Sequence, residues 1–326
     1  MATSNQHVPR VSIGVPVYNG ENFLADALDS VLAQTFDDFE LVVSDNASTD
    51  RTEEICRDYA ARDPRVRVFR NAENLGAARN YNLTFEHARG RYFKWLAHDD
   101  ALTPECLARC VAVLDADPTV VLCHGYVRII DGDGRTIGRY QGSLAAARAD
   151  SPVERFGELV RNDQRCTEIF GLVRSDALAR TPLIGAYIAS DRILRAELAL
   201  HGRFEIVERP LFVCREHDGR SVVAMPAHHL RAAWFDPRAA GRKVFPHWRV
   251  IREYVRCVRR SPVDAGQKRA CYARVARWPG VPHNAARLMS DIVIAARPES
   301  WRLLYRLSGA AVPWFEVREE EEATTP

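Results

Sequence analysis

Two adjacent carboxylates, Asp99 and Asp100, lie where the sequence pattern predicts the end of a strand. They follow a strand-like run over residues 91–97, and a helix is predicted to begin near Pro104. Two carboxylates at the carboxyl end of a buried strand are costly unless a cation lies beside them. In an open α/β sheet, this edge is where ligands bind. A divalent metal that carries a phosphorylated ligand would meet both conditions.

Polar side chains also end the neighbouring predicted strands. They are Tyr18, Asn19, Asp45, Asn46, Asn74, Arg79 and Asn80. Asn and Asp favour turns, so each residue alone is compatible with a plain turn. Their shared position at one edge of one sheet is better explained by a common binding site.

Strands and helices alternate through the first 116 residues. The predicted strands are 11–17, 39–44, 66–69 and 92–97, and the predicted helices begin near residues 23, 50, 77 and 104. The continuous apolar run over residues 11–17 is typical of a strand that is buried on both faces. This order favours an α/β fold with a mostly parallel sheet flanked by helices.

Several sequence blocks in this half resemble family 2 of the glycosyltransferases, which have the GT-A fold. They are 15–19, 30–36, 40–50, 74–80, 90–93 and 99–100, and the resemblance covers roughly residues 10–220. The resemblance implies a Rossmann-like GT-A sheet and an inverting, metal-dependent transfer of a sugar. The donor would be a nucleoside diphosphate sugar, UDP-linked by default. The acceptor would be a hydroxyl of a glycan, a glycolipid or another lipid-linked molecule, or a small molecule.

The resemblance also implies a donor site at the strand ends. Tyr18 would lie beside the base, Asp45 would accept a hydrogen bond from it, and Arg79 would contact phosphate or base. Pro16 and Asn19 belong to the same motif as Tyr18 and are expected to help bind the donor. The alternatives are a buried strand-end aromatic for Tyr18, a cap for Asp45 and a solvated helix residue for Arg79.

For the diphosphate, the resemblance implies that Asp99 faces the ribose and that Asp100 ligates Mg²⁺ or Mn²⁺. Oxygen ligands suit either metal, so the sequence does not choose between them. His217 is a candidate third ligand and Arg215 a candidate phosphate contact, because the segment 215–217 matches an Arg-x-His motif of the family. The alternative is an ordinary surface loop.

Asp191 is the candidate catalytic base. The segment 189–194 resembles the place where the family has its catalytic aspartate, at the start of a helix. A helix N-terminus keeps a carboxylate charged, and a nearby phosphate or acid raises its pKa towards that of a useful base. The alternative is that Ser190 or Asp191 only caps the helix.

A strongly basic segment follows the region of resemblance. Residues 241–306 contain fifteen Lys and Arg against four acids, a net charge of +11. One predicted helix there places these apolar residues on one face: Trp248, Ile251, Tyr254, Val255 and Val258. The helices could pack on the catalytic domain with solvated arginines, or they could dock on an anionic membrane. No nucleic-acid motif accompanies the charge, so no nucleic acid is expected.

We therefore expect a catalytic domain over residues 1–225, a basic helical region over 226–318 and an acidic disordered tail over 319–326. No run approaches the roughly 20 apolar residues of a membrane span, and residues 1–10 lack the apolar run of a signal peptide. The eight cysteines show no paired CxxC spacing. The expected location is the cytoplasm, at the inner face of the cell membrane if the basic region docks there.

Two other functions compete with glycosyl transfer. A sugar-phosphate nucleotidyltransferase would also use an α/β sheet and metal-binding acids. It would need a Gly-rich, basic phosphate loop after the first strand, where this chain has residues 18–21, Tyr-Asn-Gly-Glu. A non-catalytic protein that binds a nucleotide sugar or a polyanion would retain its function after Asp191→Asn.

Overall fold

The computed structural model describes most of the chain. The described residues are 7–142, 145–161, 166–220, 224–225, 228–301, 303 and 316–317. The predicted acidic tail, 319–326, lies outside them.

The described residues form one sheet of ten strands. The strands are β1 (Val11–Val17), β2 (Phe39–Asp45), β3 (Val66–Arg70), β4 (Tyr92–Trp95), β5 (Ala101–Leu102), β6 (Val120–Ile130), β7 (Thr136–Tyr140), β8 (Leu172–Arg174), β9 (Arg203–Arg215) and β10 (Glu316–Val317). Their order is β10-β7-β6-β8-β4-β1-β2-β3, with β9 paired to β6 and β5.

The predicted α/β class is confirmed. Strands β3, β2, β1 and β4 run parallel to one another, and β9 runs parallel to β6. The remainder is mixed. β8 runs antiparallel between β4 and β6, and β6 and β7 form a hairpin. Between them, residues 131–134 are Asp-Gly-Asp-Gly, which is typical of a hairpin turn, and so short a connection requires antiparallel strands. β8 was not predicted, because three residues are too few to show a hydrophobic period.

Eleven helices surround the sheet in the described part of the chain. They are α1 (Leu24–Leu32), α2 (Thr52–Arg62), α3 (Ala77–Glu86), α4 (Cys106–Ala116), α5 (Pro152–Arg161), α6 (Ser175–Leu178), α7 (Ser190–His201), α8 (His228–Phe235), α9 (Pro246–Arg260), α10 (Ala265–Arg277) and α11 (Pro282–Ala296).

Two apolar cores lie on the two faces of the sheet. Tyr92 of β4 packs into the first, and its neighbours Phe93 and Trp95 pack into the second, as the alternation of side chains along a strand requires. The second core also contains Tyr254 of α9 and Leu288 of α11. The C-terminal helices therefore share a core with the sheet that presents the strand ends.

The orientation of α9 differs in part from the predicted one. Its buried side consists of Val250, Tyr254, Cys257 and Val258. Trp248 and Val255, expected on that side, are 47% and 41% exposed. The indole N–H of Trp248 donates to the carbonyl of Leu288 at 3.2 Å, which holds the ring between α9 and α11 at the surface. Apolar side chains therefore remain on the outer side of this basic region.

All eight cysteines are free thiols. Among the described residues, every helix is either too short or too polar to cross a lipid bilayer.

Candidate active site

A cleft of about 1380 Å³ opens along the carboxyl ends of β1 and β4. Its walls come from these strand ends, the start of α7, the segment after β9, and helices α8, α9 and α11. The predicted site residues that line it are Pro16, Tyr18, Asn19, Asp99, Asp100, Asp191 and His217. Those predicted site residues that are not among its lining are Asp45, Arg79 and Arg215.

Asparagine side chains fix the strand ends that form one wall. Asn46 donates to the Oδ1 of Asn74 at 2.8 Å, and its own Oδ1 accepts from the backbone of Leu75 at 2.9 Å. Asn80 donates to the carbonyls of Val17 at 3.3 Å and Ser44 at 2.9 Å. These bonds tie the ends of β1 and β2 to the start of α3, so the wall is formed before any ligand binds.

Tyr18 extends from the end of β1 and is 43% exposed. The next residue, Asn19, has a φ of 51°, and its Oδ1 accepts from the backbone of Thr49 at 2.8 Å. This turn leaves the aromatic ring at the mouth of the cleft. An aromatic face with one side exposed is available for stacking against a planar ligand.

Asp45 and Arg79 are already engaged elsewhere. Asp45 is 1% exposed, accepts from the backbone of Ser48 at 3.0 Å and forms an ion pair with Arg70. Arg79 forms an ion pair with Glu86 on the outer side of α3. The predicted contacts of Asp45 and Arg79 with the nucleotide remain predictions. To make such a contact, each side chain would have to leave its ion-pair partner or contact the ligand while keeping that partner.

The two central carboxylates are in different environments. Nε2 of His217 lies 2.9 Å from Oδ2 of Asp99, whereas Asp100 accepts from the backbone N–H of Arg215 at 3.0 Å. Burial and the charge of Asp99 raise the pKa of Asp100 to about 8. Burial also acts to raise the pKa of Asp99, but the hydrogen bond with His217, the charge of His98 and a backbone hydrogen bond together lower that pKa below its usual range. The positive charge near the pair therefore does not offset the unfavourable environment of the Asp100 carboxylate.

These residues fit a divalent metal that is completed by a ligand. Among the described residues, no group of three His, Cys, Asp or Glu side chains is arranged to hold a metal ion without other ligands. Mg²⁺ commonly takes one or two carboxylates and completes its coordination with water and substrate phosphates. The repulsion that raises the pKa of Asp100 is what a cation at this position would relieve. His217 as a third ligand remains a prediction.

Arg215 faces away from the cleft. Its guanidinium donates to the carbonyl of Asp99 at 3.1 Å and to the carboxylate of Asp26 at 2.8 Å. It also stacks on the ring of Phe23, with 4.4 Å between the guanidinium carbon and the ring centroid. In this arrangement Arg215 holds the backbone that carries the two carboxylates. Its predicted contact with phosphate would require it to leave these partners and the carbonyl of Gly132, to which it donates at 3.3 Å.

Arg220 lines the cleft in the region expected for Arg215. It forms an ion pair with Glu216, and its positive charge acts to lower the pKa of Asp100. Sequence analysis missed it because only its position, three residues after His217, distinguishes it from other arginines.

Asp191 lies in the first turn of α7 and faces the cleft. Its Oδ1 accepts from the backbone N–H of Arg192 at 2.8 Å. The thiol of Cys166 is hydrogen-bonded to the same carboxylate, and burial raises the pKa of this thiol well above its usual range. A fully buried ion pair between Arg195 of α7 and Glu168, with 2.5 Å between the nitrogen and the oxygen, fixes the position of this helix.

Several lining residues come from the C-terminal region, where the sequence indicates only basic, amphipathic helices. They are Arg231, Trp234, His247, Trp278, Arg287 and Ile294. No spacing in the sequence distinguishes them from residues that pack or face solvent, because their side chains converge only through the packing of α8, α9 and α11.

A family model described as Glycosyl transferase family 2 matches residues 12–185. The chain belongs to glycosyltransferase family 2. It is 35% identical over 136 residues to an uncharacterized glycosyltransferase of Rickettsia felis, covering 41% of this chain and 22% of that protein. It is 29% identical over 230 residues to the Bacillus subtilis protein EpsH, covering 68% of this chain and 61% of that protein. The chain thus spans less than two thirds of these relatives.

Solved structures establish the fold of this family 2 member. S. aureus TarS 1-349 in complex with UDP aligns with a TM-score of 0.59 at 16% identity, covering 83% of this chain and 72% of TarS 1-349. The mannosyltransferase PcManGT from Pyrobaculum calidifontis, in complex with GDP-Man and Mn²⁺, aligns with a TM-score of 0.50 at 20% identity, covering 93% and 81%. The expected GT-A fold is confirmed.

We expect substitution of Arg215 to affect mainly the stability of the protein and substitution of Arg220 to affect mainly the binding of the donor. We expect Arg215→Gln to lower the free energy of unfolding by about 2–4 kcal/mol, because it removes a buried guanidinium that donates to the carbonyl of Asp99 and to the carboxylate of Asp26. We expect Arg220→Gln to change stability less and to weaken the binding of a nucleoside diphosphate about tenfold. Urea denaturation and calorimetric titration with UDP and Mn²⁺ would measure both. Normal stability with selectively weakened binding in Arg215→Gln would contradict this assignment.

Proposed function

We propose that this chain transfers a sugar from a nucleoside diphosphate sugar to a hydroxyl of an acceptor. The observation that carries the proposal is that one cleft is lined both by the polar strand ends and by Asp191 at the start of α7. Membership in family 2 supports it. TarS in complex with UDP-GlcNAc supports a UDP-linked donor as the first choice, while PcManGT with GDP-Man supports testing guanine as well.

On the donor side, Tyr18 would stack against the base, and Pro16 and Asn19 would form the adjoining wall. Asp99 would face the ribose. Asp100, with His217, would hold Mg²⁺ or Mn²⁺, which when bound would neutralise charge on the diphosphate as it leaves. The Mn²⁺ in the PcManGT complex supports a metal of this kind.

On the acceptor side, Asp191 would accept the proton of the attacking hydroxyl. The N-terminus of α7 favours the ionised carboxylate that this role requires. As the hydroxyl oxygen bonds to the anomeric carbon, the bond from that carbon to the diphosphate breaks and the proton passes to Asp191. A single displacement of this type inverts the anomeric configuration.

Replacing the proposed base should lower the rate of the reaction and leave the affinity for the nucleotide almost unchanged. We expect Asp191→Asn to lower the rate of UDP release from UDP-GlcNAc or UDP-glucose by about 100- to 10,000-fold, with water acting as the acceptor. The affinity for UDP should change less than twofold. Coupled detection of UDP and calorimetric titration would measure the two effects.

Asp176→Asn is a matched control, because Asp176 also lies in the first turn of a helix but pairs with Arg180 at the exposed surface. Full activity in Asp191→Asn would contradict the assignment of the base. A wild-type protein that binds UDP and releases none from any nucleotide sugar would favour the non-catalytic alternative. The nucleotidyltransferase alternative receives no support from the turn at Asn19 or from the family match.

We also propose that the outer faces of α9 and α11 contact an anionic membrane. Trp248 is 47% exposed, and on α11 Met289 and Ile292 are 59% and 45% exposed. Arginines surround this apolar surface. Arg249, Arg252 and Arg256 all lie within 4 Å of the single carboxylate of Glu253, so the face keeps a positive charge. Exposed apolar side chains among arginines are typical of helices that lie in a membrane interface.

Vesicle binding should therefore depend on both charge and the apolar surface. We expect co-sedimentation with vesicles of phosphatidylglycerol and phosphatidylcholine, less with phosphatidylcholine alone, and less at high salt. The double change Trp248→Ser and Met289→Ser should reduce binding several-fold, whereas Val8→Ser, which changes an exposed apolar residue before β1, should not. Equal binding to neutral vesicles, or no effect of the double change, would contradict this proposal.

A further inference from the structure

Tyr81 of α3 lines the cleft between the strand ends and the segment that leads to α7. The residues on either side of it in the chain are tied to these two places. The amide of Asn80 donates to backbone carbonyls at the end of β1 and near the end of β2, at 3.3 and 2.9 Å. Asn82 exchanges two hydrogen bonds with the backbone of Ile184, at 2.9 and 3.0 Å. This turn of α3 is therefore fixed where the two sides of the cleft meet.

The same turn of α3 is also tied to β4. The indole N–H of Trp95, the last residue of β4, donates to the carbonyl of Tyr81 at 3.0 Å. The two rings are tilted by 50°, and their centroids lie 6.3 Å apart, which is within the range of an aromatic pair. Trp95 is 1% exposed and belongs to the second core, against which Tyr81 also packs. The position of the tyrosine ring is thus set by the protein before a ligand binds.

The hydroxyl of Tyr81 makes no hydrogen bond with the residues that the structure describes. Burial and the charges of Asp99, Asp100 and Asp191 raise the pKa of this tyrosine well above its usual range. The phenol therefore stays neutral and can both donate and accept a hydrogen bond. Tyrosine hydroxyls that are partly buried usually find a partner, so we expect a ligand in the cleft to supply one.

The carboxylates near Tyr81 indicate which part of the ligand lies beside it. In the proposed reaction, Asp100 binds the metal at the diphosphate, and Asp191 faces the acceptor hydroxyl. The attacking hydroxyl and the leaving diphosphate lie on opposite sides of the anomeric carbon in such a displacement. A side chain that is close to both carboxylates is therefore close to the transferred sugar. The base would lie elsewhere, at Tyr18 and the mouth of the cleft.

We propose that Tyr81 reads the transferred sugar through one hydrogen bond between its hydroxyl and a polar substituent of the sugar ring. The substituent is uncharged, such as a hydroxyl or an acetamido group, because it lies among three carboxylates and pairs with a neutral phenol. A donor that lacks this substituent leaves the phenol without a partner and binds less tightly. This inference rests on the proposed function and deepens it by naming a residue that selects the donor sugar.

The test compares nucleoside diphosphates with their sugar esters by calorimetric titration in Mn²⁺. The ligands are UDP, UDP-GlcNAc, UDP-glucose, UDP-galactose, GDP and GDP-mannose. We expect Tyr81→Phe to weaken the preferred nucleotide sugar about 3- to 10-fold, because one hydrogen bond is lost. The affinity for the matching nucleoside diphosphate should change less than twofold. Tyr272→Phe is the matched control, since Tyr272 of α10 also packs against the second core but is outside the cleft lining.

A second measurement identifies the substituent that Tyr81 contacts. It uses analogues of the preferred donor that each lack one polar substituent of the sugar ring. For one position, removal of the substituent should weaken binding to the wild-type protein and have no further effect in Tyr81→Phe. For the other positions, the effects of the analogue and of the substitution should add.

Three outcomes would overturn the inference. Equal weakening of a nucleoside diphosphate and its sugar ester in Tyr81→Phe would place the hydroxyl at the nucleotide instead of the sugar. Unchanged affinity for every nucleotide sugar would show that the hydroxyl makes no contact, and additive effects at every ring position would show the same. A wild-type protein that binds none of the six ligands would overturn the proposed function, and this inference with it.

Discussion

The burial of two adjacent carboxylates at the end of β4 is the constraint on which the site depends. Water is largely excluded from Asp100, and Lys94, the cationic side chain of β4, donates to the carbonyl of Phe170 instead. The groups that act to stabilise the charge come from the end of β9 and the residues after it, more than a hundred positions later: the backbone of Arg215, the imidazole of His217 and the guanidinium of Arg220. The pairing of β9 with β5 and β6 is therefore what makes the strand end possible.

A second buried carboxylate connects the sheet side of the site to the C-terminal helices. Helix α7 carries Asp191 at one end, and on its buried side Glu197 accepts two hydrogen bonds from Arg260 of α9, at 3.0 and 2.8 Å. Because Glu197 is 1% exposed, this charged contact fixes α9 against α7. α9 in turn contacts α11, and residues of both helices line the cleft. The basic region thus forms a wall of the site.

The sequence predicted those parts of the site that local patterns encode. Apolar runs that end in polar residues predicted the ends of β1 and β4. The resemblance of residues 189–194 to a family motif predicted Asp191 at the start of a helix, where α7 begins. The choice between Arg215 and Arg220 could not be predicted, because it depends on which side chain the pairing of β9 turns towards Phe23 and Asp26. The ion pair of Asp45 with Arg70 likewise depends on the neighbouring strand β3.

The C-terminal wall was beyond prediction for a related reason. Its sequence shows basic amphipathic helices, and the rotation of each helix is set by tertiary contacts. The bond from Trp248 to the carbonyl of Leu288 leaves the indole at the surface instead of in the core. Which side of α11 lines the cleft is likewise set by its neighbours, so the sequence alone does not distinguish Arg287, which lines the cleft, from a solvated arginine.

The most direct test of the account is the melting temperature of the full chain with UDP, GDP, ADP or CDP, each in EDTA, Mg²⁺ or Mn²⁺. A ligand at 100 times its dissociation constant stabilises the folded state by about 2.7 kcal/mol. The account predicts a metal-dependent rise with one nucleotide, UDP being the first expectation, and loss of that rise in Asp100→Ala. No rise with any nucleotide under any metal condition would contradict it.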